Sequence, residues 1–162
     1  MYRKGWNIMK MTTNLFGEIL VDDNKVINFI QGIIGFPDLK KFMLIHDSES
    51  EDKKISWLQS IDEPSFALPV IDPLVIDKNY NPEIEDELLN PLEIKKIEDL
   101  LVVTTVTVPS DIKNMTVNMK APIIINAANL KAAQLIVEDD KYLVKYPVYD
   151  ILKGNKEGDE VC

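Results

Sequence analysis

The stretch LLVVTTVTV, residues 100–108, decides the fold. Its β-branched residues favour extended backbone. Its first half is almost continuously apolar, which predicts a strand with neighbours on both sides, in the centre of a sheet. Pro109-Ser110-Asp111 then ends the strand with turn-forming residues. The sequence therefore predicts a β-sheet organised around residues 100–108.

Further short strands are predicted on both sides of this stretch. Asp22-Asp23-Asn24 predicts a hairpin turn between the first two, and Glu138-Asp139-Asp140-Lys141 predicts one between the last two. Gly17, inside the first strand, predicts a bulge. The predicted strands cover residues 13–20, 26–31, 42–45, 56–60, 66–71, 116–119, 123–125, 133–137 and 142–149.

Helix is predicted only in short pieces. The best segment runs from Pro91 to Ile97, with Asn90 as its N-cap and proline at the first helical position. Residues 126–132 are predicted to form one helical turn. Because the strands are short, closely spaced and not alternated with helices, we expect a mainly β fold. It is a single-domain antiparallel β-barrel or sandwich with one or two short helices.

The 162 residues are predicted to form one domain with two flanking segments. Residues 1–11 are expected to be a leader outside the fold, residues 12–152 the β domain, and residues 153–162 a flexible tail. A chain of this length buries enough surface to need no disulfide or metal for stability. The single cysteine, Cys162, fits a reducing, cytoplasmic environment.

The protein is strongly acidic. It carries 18 Lys and Arg residues against 27 Asp and Glu residues, for a net charge of −9. This balance opposes binding to nucleic acid or an anionic membrane and favours a basic protein partner. Between Asp72 and Asp99 there are nine acidic residues and three lysines, so this segment holds a net charge of −6. We expect it to be the surface that attracts a basic partner.

The residues that usually carry catalysis or bind cofactors are scarce. His46 is the only histidine and lies beside an acidic loop, so neither a Ser-His-Asp nor a Cys-His arrangement is indicated. The six glycines form no phosphate-binding pattern, and no metal-ligand spacing is complete. We therefore predict no catalytic residue, no metal and no cofactor, and a protein that works by binding. A small hydrolase with an unrecognised site stays an alternative.

Two segments are unusual for loops. Residues 32–37 (GIIGFP) place apolar side chains where polar ones are expected, so the loop is either folded inward or exposed for a partner. We expect Phe36 to lie in the core. Asn118 and Asn126 lie on either side of Pro122, where their amides can bond backbone groups left unpaired by the proline and the turn.

The run from Thr116 to Asn126, TVNMKAPIIIN, followed by Gln134, resembles the signature of the flagellar assembly factor FliW family. Other short motifs occur in the order typical of that family. They are Phe16-Gly17, residues 32–36 (GIIGF), residues 57–60 (WLQS), Asp72-Pro73 with Tyr80, residues 103–109 and residues 142–147. The resemblance covers about residues 12–149.

This resemblance implies a small cytoplasmic bacterial β-barrel-like protein that is not an enzyme. Family members bind newly made flagellin, and they also bind CsrA, an RNA-binding translational regulator. Binding to CsrA relieves repression of flagellin synthesis once export has removed the flagellin. The implied function is therefore a partner switch that touches neither RNA nor membrane. A flagellin-holding chaperone without a regulator partner is the alternative within this class.

Seven residues are predicted to bind partners. Glu85, Asp86 and Glu87 lie in the acidic segment and are expected to meet the basic regulator. The others come from the family-like motifs and are Asp72, Tyr80, Asn118 and Asn126.

Overall fold

The computed structural model describes residues 8–46 and 55–153. These parts of the chain are mainly β, with short helices. The strands are β1 (Ile8–Thr13), β2 (Gly17–Asp22), β3 (Ile27–Phe29), β4 (Lys41–His46), β5 (Ile55–Ser60), β6 (Ala67–Ile71), β7 (Leu100–Thr107), β8 (Thr116–Val117), β9 (Ile123–Asn126), β10 (Lys131–Gln134) and β11 (Tyr146–Pro147).

The helical elements are short. The described residues contain three short α-helical segments, α1 (Pro73–Ile76), α2 (Asp86–Leu89) and residues 149–153. Single 3-10 turns lie at Asp23–Lys25, Asn90–Leu92, Ile97–Asp99 and Ile112–Asn114. None of the helices in the described residues is long and apolar enough to cross a membrane.

Seven strands close into a barrel in the order β7-β6-β5-β4-β3-β10-β9, and β9 pairs again with β7. All of these pairs are antiparallel except β3 with β10, which is parallel. β7 closes the ring because it is long: Leu100–Val103 pair with β9, Thr104 and Thr105 with β6, and its last residues with β8. The predicted mainly β fold is thus confirmed, and of the two expected architectures, barrel or sandwich, it is a barrel. The predicted central strand at residues 100–108 is confirmed as β7.

The barrel interior is the first of two cores. Phe29 and Phe42 meet edge to face inside it, with ring centroids 5.1 Å apart. Burial of these side chains and their neighbours supplies the main driving force for folding. The core consists of Ile27, Phe29, Ile33, Phe42, Leu58, Val70, Val103, Ile123, Ile125 and Ala132.

The second core lies where β8 and β11 extend the sheet from the far end of β7. Its members come from segments distant in sequence, so it joins residues 71–80 to the C-terminal part of the chain. It consists of Ile71, Ile76, Tyr80, Val106, Met115, Val117, Met119, Val137, Tyr142 and Val148.

The first hairpin differs from the prediction. The structure pairs β1 with β2, so the predicted strand at residues 13–20 is interrupted by a turn. Gly17, at a φ of +66°, begins β2 instead of forming a bulge, and the Thr13 hydroxyl accepts from the Phe16 N–H and donates to the Gly17 carbonyl. The boundary predicted after residue 11 falls inside β1, because residues 8–11 pair with β2.

The predicted helix at residues 91–97 is also wrong. Asn90 begins a single 3-10 turn, and Glu93 ends it in the left-handed conformation. The carbonyls of Leu92 and Glu93 accept from the Asn126 side chain, so they are not available to continue a helix.

The predicted C-terminal hairpin does not form either. After β10, the Leu135 and Val137 N–H groups donate to the carbonyls of Pro122 and Lys120. Of residues 142–149, only Tyr146–Pro147 form a strand, which pairs with β8. The Leu130 N–H donates to the Asn126 carbonyl at 2.7 Å and closes one α-turn, so the single helical turn predicted within residues 126–132 is present at residues 126–130. It ends with Leu130 at a φ of 61°, and β10 begins at Lys131. Residues 154–162 of the predicted tail lie outside the described residues.

Candidate partner-binding site

The acidic segment predicted to meet a partner encloses an apolar groove against the barrel wall. Between β6 and β7 the chain leaves the sheet and runs over the outside of the barrel. The groove between this segment and the barrel has a volume of about 540 Å³. The groove is lined by Asp72, Pro73, Leu74, Tyr80, Asn81, Pro82, Ile84, Leu89, Ile97, Leu100, Leu101, Val102 and Ile124. Asp72 is the only charged residue in this lining, so the groove suits apolar side chains.

The barrel wall contributes the floor of the groove. Val102 of β7 lies directly opposite Ile124 of β9, so their side chains share one face of the sheet. The neighbouring residues Val103, Ile123 and Ile125 belong to the barrel core. Because side chains alternate along a strand, Val102 and Ile124 face outward and form an apolar outer wall.

Asp72 positions the start of the groove. Its carboxylate accepts from the Leu74 N–H at 2.9 Å and so caps α1, with Pro73 at the first helical position. Pro73 and Ile76 are buried, whereas Leu74 is 52% exposed at the groove. The predicted binding residue Asp72 is therefore an exposed helix cap at the mouth of the groove.

Tyr80 anchors the chain just before the most acidic stretch. It is buried, its hydroxyl donates to the Met119 carbonyl at 2.8 Å, and its ring meets that of Tyr142 edge to face at 4.8 Å. The Tyr142 hydroxyl accepts from the Asn81 N–H at 3.0 Å. Burial raises the pKa of Tyr80, and the neighbouring Tyr142 adds to this effect. Tyr80 thus holds the segment to the second core.

Asn126 anchors the other end. It is buried, and its Nδ2 donates to the carbonyls of Leu92 at 2.8 Å and Glu93 at 3.2 Å. Leu92 is fully buried, and its carbonyl also accepts from Asn129. Beside it, a hydrogen bond and ion pair with Lys131 lower the pKa of the Glu93 carboxyl. Asn126 therefore fixes the chain at residues 92–93.

Residues 81–91, all of them described, lie between these anchors and include no buried residue. We call this segment the acidic strap, since it holds four acidic residues and no basic one. Glu85, Asp86 and Glu87 are exposed at the start of α2, and none of them forms a salt bridge within the described chain. Two further open cavities, of about 600 and 430 Å³, flank α2. The strap is therefore held at its ends by hydrogen bonds, and between them the half-buried Ile84 packs against the second core.

The apolar residues at the groove mouth were missed by sequence reasoning. Ile97 is 81% exposed, Leu74 is 52% exposed, and both line the groove. Exposed large apolar side chains that lie together mark interaction sites. The available signal was Ile97 itself, an isoleucine between Lys96 and Glu98 in a segment without strand periodicity.

Asn118 lies outside the groove. Its Oδ1 accepts from the N–H groups of Lys120 at 3.1 Å and Ala121 at 3.0 Å, and it is half-buried. The next residue, Met119, supplies the carbonyl that binds Tyr80. The structure therefore brings Asp72, Tyr80, Glu85, Asp86, Glu87 and Asn126 together around the strap and places Asn118 in the turn behind it.

The loop at residues 32–37 presents a second, smaller apolar surface. Ile33 is buried, but Ile34 is 50% exposed and Phe36 is 48% exposed, so the expectation that Phe36 lies in the core is wrong. The ring of Phe36 instead packs on Phe66 at 4.6 Å. Gly32, at a φ of +71°, has no space for a Cβ, which would lie 2.4 Å from the Pro37 carbonyl oxygen and force this loop outward.

The only histidine of the sequence, His46, ends β4. His46 Nδ1 is 2.8 Å from Ser56 Oγ at an exposed position. Within residues 8–46 and 55–153, no three His, Cys, Asp or Glu side chains come together as metal ligands.

Comparison with known proteins agrees with this architecture. The FliW protein family model matches residues 10–148. Flagellar assembly factor FliW of Lachnoclostridium phytofermentans is 48% identical over 156 residues, which cover 95% of this chain and 100% of that relative. Flagellar assembly factor FliW of Caldanaerobacter subterraneus subsp. tengcongensis is 46% identical over 146 residues, which cover 90% of this chain and 97% of that relative.

The fold is similar as well. A crystal structure of the flagellar assembly factor FliW matches with a TM-score of 0.78 at 27% identity, over 87% of this chain and 97% of that chain. The resemblance drawn from the sequence motifs is thereby confirmed, and the chain belongs to the FliW family of flagellar assembly factors.

Proposed function

We propose that this flagellar assembly factor is a cytoplasmic partner switch that binds flagellin and antagonises a CsrA-type RNA-binding regulator. When flagellin is exported, the protein is released, binds the regulator and so allows flagellin synthesis to follow export. In this role it serves as a chaperone-like binding protein and not as an enzyme. When two partners bind one protein at overlapping or negatively coupled sites, binding of one partner lowers the apparent affinity for the other.

The observation that carries this proposal is the exposed acidic face of α2. Glu85, Asp86 and Glu87 project from a strap without a single base, and no salt bridge in the described chain neutralises them. A protein that binds RNA presents basic surface, which such a face attracts over long range. Charge complementarity of this kind acts mainly on the association rate.

The same charge argues against direct RNA binding. The net charge of −9 and the single arginine, Arg3, give no basic groove for a phosphate backbone. We expect the purified protein to cause no mobility shift of a flagellin leader RNA. It should, however, release that RNA from a complex with the regulator, and excess flagellin should abolish the release. Salt-sensitive RNA binding by this chain alone would contradict the proposal.

The proposal is tested by reversing the charge of the strap. The variant Glu85→Lys/Asp86→Lys/Glu87→Lys should slow association with the regulator and reduce its dependence on salt, measured by stopped-flow or surface plasmon resonance. The matched control is Glu18→Lys/Asp23→Lys/Asp38→Lys, which makes the same change in net charge at three exposed positions outside the strap. Equal association rates for the two variants would exclude the strap from the regulator interface.

A chaperone that holds flagellin alone is the second candidate, and the apolar groove favours it. The two candidates differ in what co-purifies from flagellated cells: flagellin together with a small basic regulator, or flagellin only. A small hydrolase would instead show measurable turnover with neither partner bound.

A further inference from the structure

The cavity of about 430 Å³ beside α2 has side chains of opposite charge on its two sides. Asp86 of α2 lines one side, and Glu87, also exposed, follows it in the same helix. Lys95 and Lys96, both exposed, line the other side. None of these four side chains forms a salt bridge within the described residues. The surface therefore carries unneutralised acid on one side and unneutralised base on the other.

Apolar side chains lie between the two charged sides. Leu89, Ile94 and Leu100 are half-buried in the lining of the cavity, and Ile97 completes it. Ile97 is 81% exposed, more than any other large apolar residue of the described chain. A side chain that contacts so little of its own chain is available as an anchor for an interface.

This arrangement restricts what can cover the surface. A uniformly basic partner would place like charge on Lys95 and Lys96, and a uniformly acidic partner would do the same on Asp86 and Glu87. The surface is matched by one that carries an apolar centre and both charges in the reverse order. A second copy of this chain, turned about a two-fold axis, presents that order, because the same residues then face each other in both directions.

The net charge of each copy does not prevent this contact. At an ionic strength of about 0.15 M the screening length is about 8 Å, so charges outside the contact act only weakly across it. Glu93 also lines the cavity, but it is paired with Lys131 and does not neutralise the two lysines beside it. The charges that decide the contact are therefore those on its two sides.

We propose that this chain self-associates as a two-fold symmetric dimer through this cavity. Asp86 and Glu87 of each copy pair with Lys95 and Lys96 of the other, and each Ile97 enters the cavity of the other copy. The inference does not rest on the proposed function. It adds a consequence for the strap, since a dimer that covers Asp86 and Glu87 competes with any basic protein that binds there.

Sedimentation velocity of the full chain tests the inference. In about 0.15 M salt, raising the protein concentration from about 10 µM to about 1 mM should convert monomer to dimer, with the weak affinity typical of a small interface. The variant Ile97→Asp places a charge in the apolar centre and should remain a monomer over this range. A parent chain that stays monomeric throughout would overturn the inference and leave the surface to a different protein.

Two charge-reversed variants test the symmetry of the contact. Lys95→Glu/Lys96→Glu makes both sides acidic, and Asp86→Lys/Glu87→Lys makes both sides basic, so each variant alone should remain monomeric. Mixed in equal amounts, they should form a dimer that contains one copy of each. A mixture that stays monomeric, or variants that dimerise separately as well as the parent does, would contradict the proposed pairing.

The matched control is Lys113→Glu/Lys145→Glu, which makes the same change in net charge at two exposed positions outside the cavity. It should dimerise like the parent, and a monomeric control would mean that net charge and not the proposed contact governs association. Thermal melting should show that all variants fold, since every changed side chain is exposed. These measurements use the chain alone, so their failure would leave the proposed function standing.

Discussion

The barrel and the acidic strap are held together by different forces. The barrel is closed by continuous backbone pairing and filled with apolar side chains, among them Phe29 and Phe42. The strap has no buried residue over 81–91 and is fixed by hydrogen bonds from Tyr80 and Asn126 at its two ends. Stability and binding are therefore separated in this molecule: a fully buried apolar core stabilises the barrel, whereas polar anchors at both ends and the half-buried Ile84 hold the strap at the surface.

Truncating a side chain in the barrel core should have the largest effect on the free energy of unfolding. Phe42→Ala removes a fully buried ring and should lower the free energy of unfolding by about 3–5 kcal/mol, measured by urea denaturation. Phe36→Ala is the matched control, because its ring is 48% exposed and packs mainly on Phe66, and it should cost less than half as much. Equal losses would mean that the loop at residues 32–37 belongs to the core.

Removing an anchor of the strap should have the next largest effect. Asn126→Ala leaves the Glu93 carbonyl without its bond and a small void beside Leu92, so we expect a loss of about 2–3 kcal/mol. Hydrogen exchange should also become faster at residues 86–97 than in β4 and β5. Uniform acceleration across the whole domain would show that the strap and the barrel are one cooperative unit.

The second anchor gives a pH-dependent test. Tyr80→Phe leaves the Met119 carbonyl unpaired and should cost about 1–2 kcal/mol at neutral pH. Because burial raises the pKa of Tyr80, the folded protein holds this proton more tightly than the unfolded chain does. The stability that Tyr80 contributes is complete below the unfolded pKa of about 10 and is lost as pH rises beyond it. Above pH 10, the melting temperature should therefore fall less steeply with rising pH in Tyr80→Phe than in the parent protein. Identical slopes of melting temperature against pH would contradict this.

Changing the mouth of the groove should have the smallest effect on stability. Ile97→Ser replaces an 81% exposed side chain, so the free energy of unfolding should change by no more than about 0.5 kcal/mol. Differential scanning calorimetry at two pH values is sufficient to detect a larger change. A loss of about 2 kcal/mol would show that Ile97 is packed in solution and that the groove is closed.

Sequence-based predictions were correct where the composition of one segment indicates its place in the fold. Residues 100–108 were predicted as a central strand because their apolar run needs cover on both faces, and β7 pairs with β6, β8 and β9. Predictions failed where contacts with a residue distant in sequence determine the local conformation. The helix expected at residues 91–97 is stopped by Asn126, and no pattern within residues 90–97 contains that information.

The candidate site was predicted in its charge but not in its shape. Counting acidic residues between Asp72 and Asp99 located the acidic face, because charge is a property of composition. The groove required knowledge of what lies behind that segment, namely the outward side chains of Val102 and Ile124. The roles of Tyr80 and Asn126 as anchors likewise depend on partners 39 and 34 residues away.

The β class of the fold, the acidic character and the family follow from local periodicity, composition and short motifs, so the amino-acid sequence was enough to predict them. It left barrel and sandwich as alternatives. Tertiary structure alone decided how β7 closes the barrel, which motif residues are buried anchors, and which apolar side chains remain at the surface. The physical reason is that these outcomes depend on contacts between residues far apart in the chain. Their free energy is a property of the whole packed molecule and not of any segment.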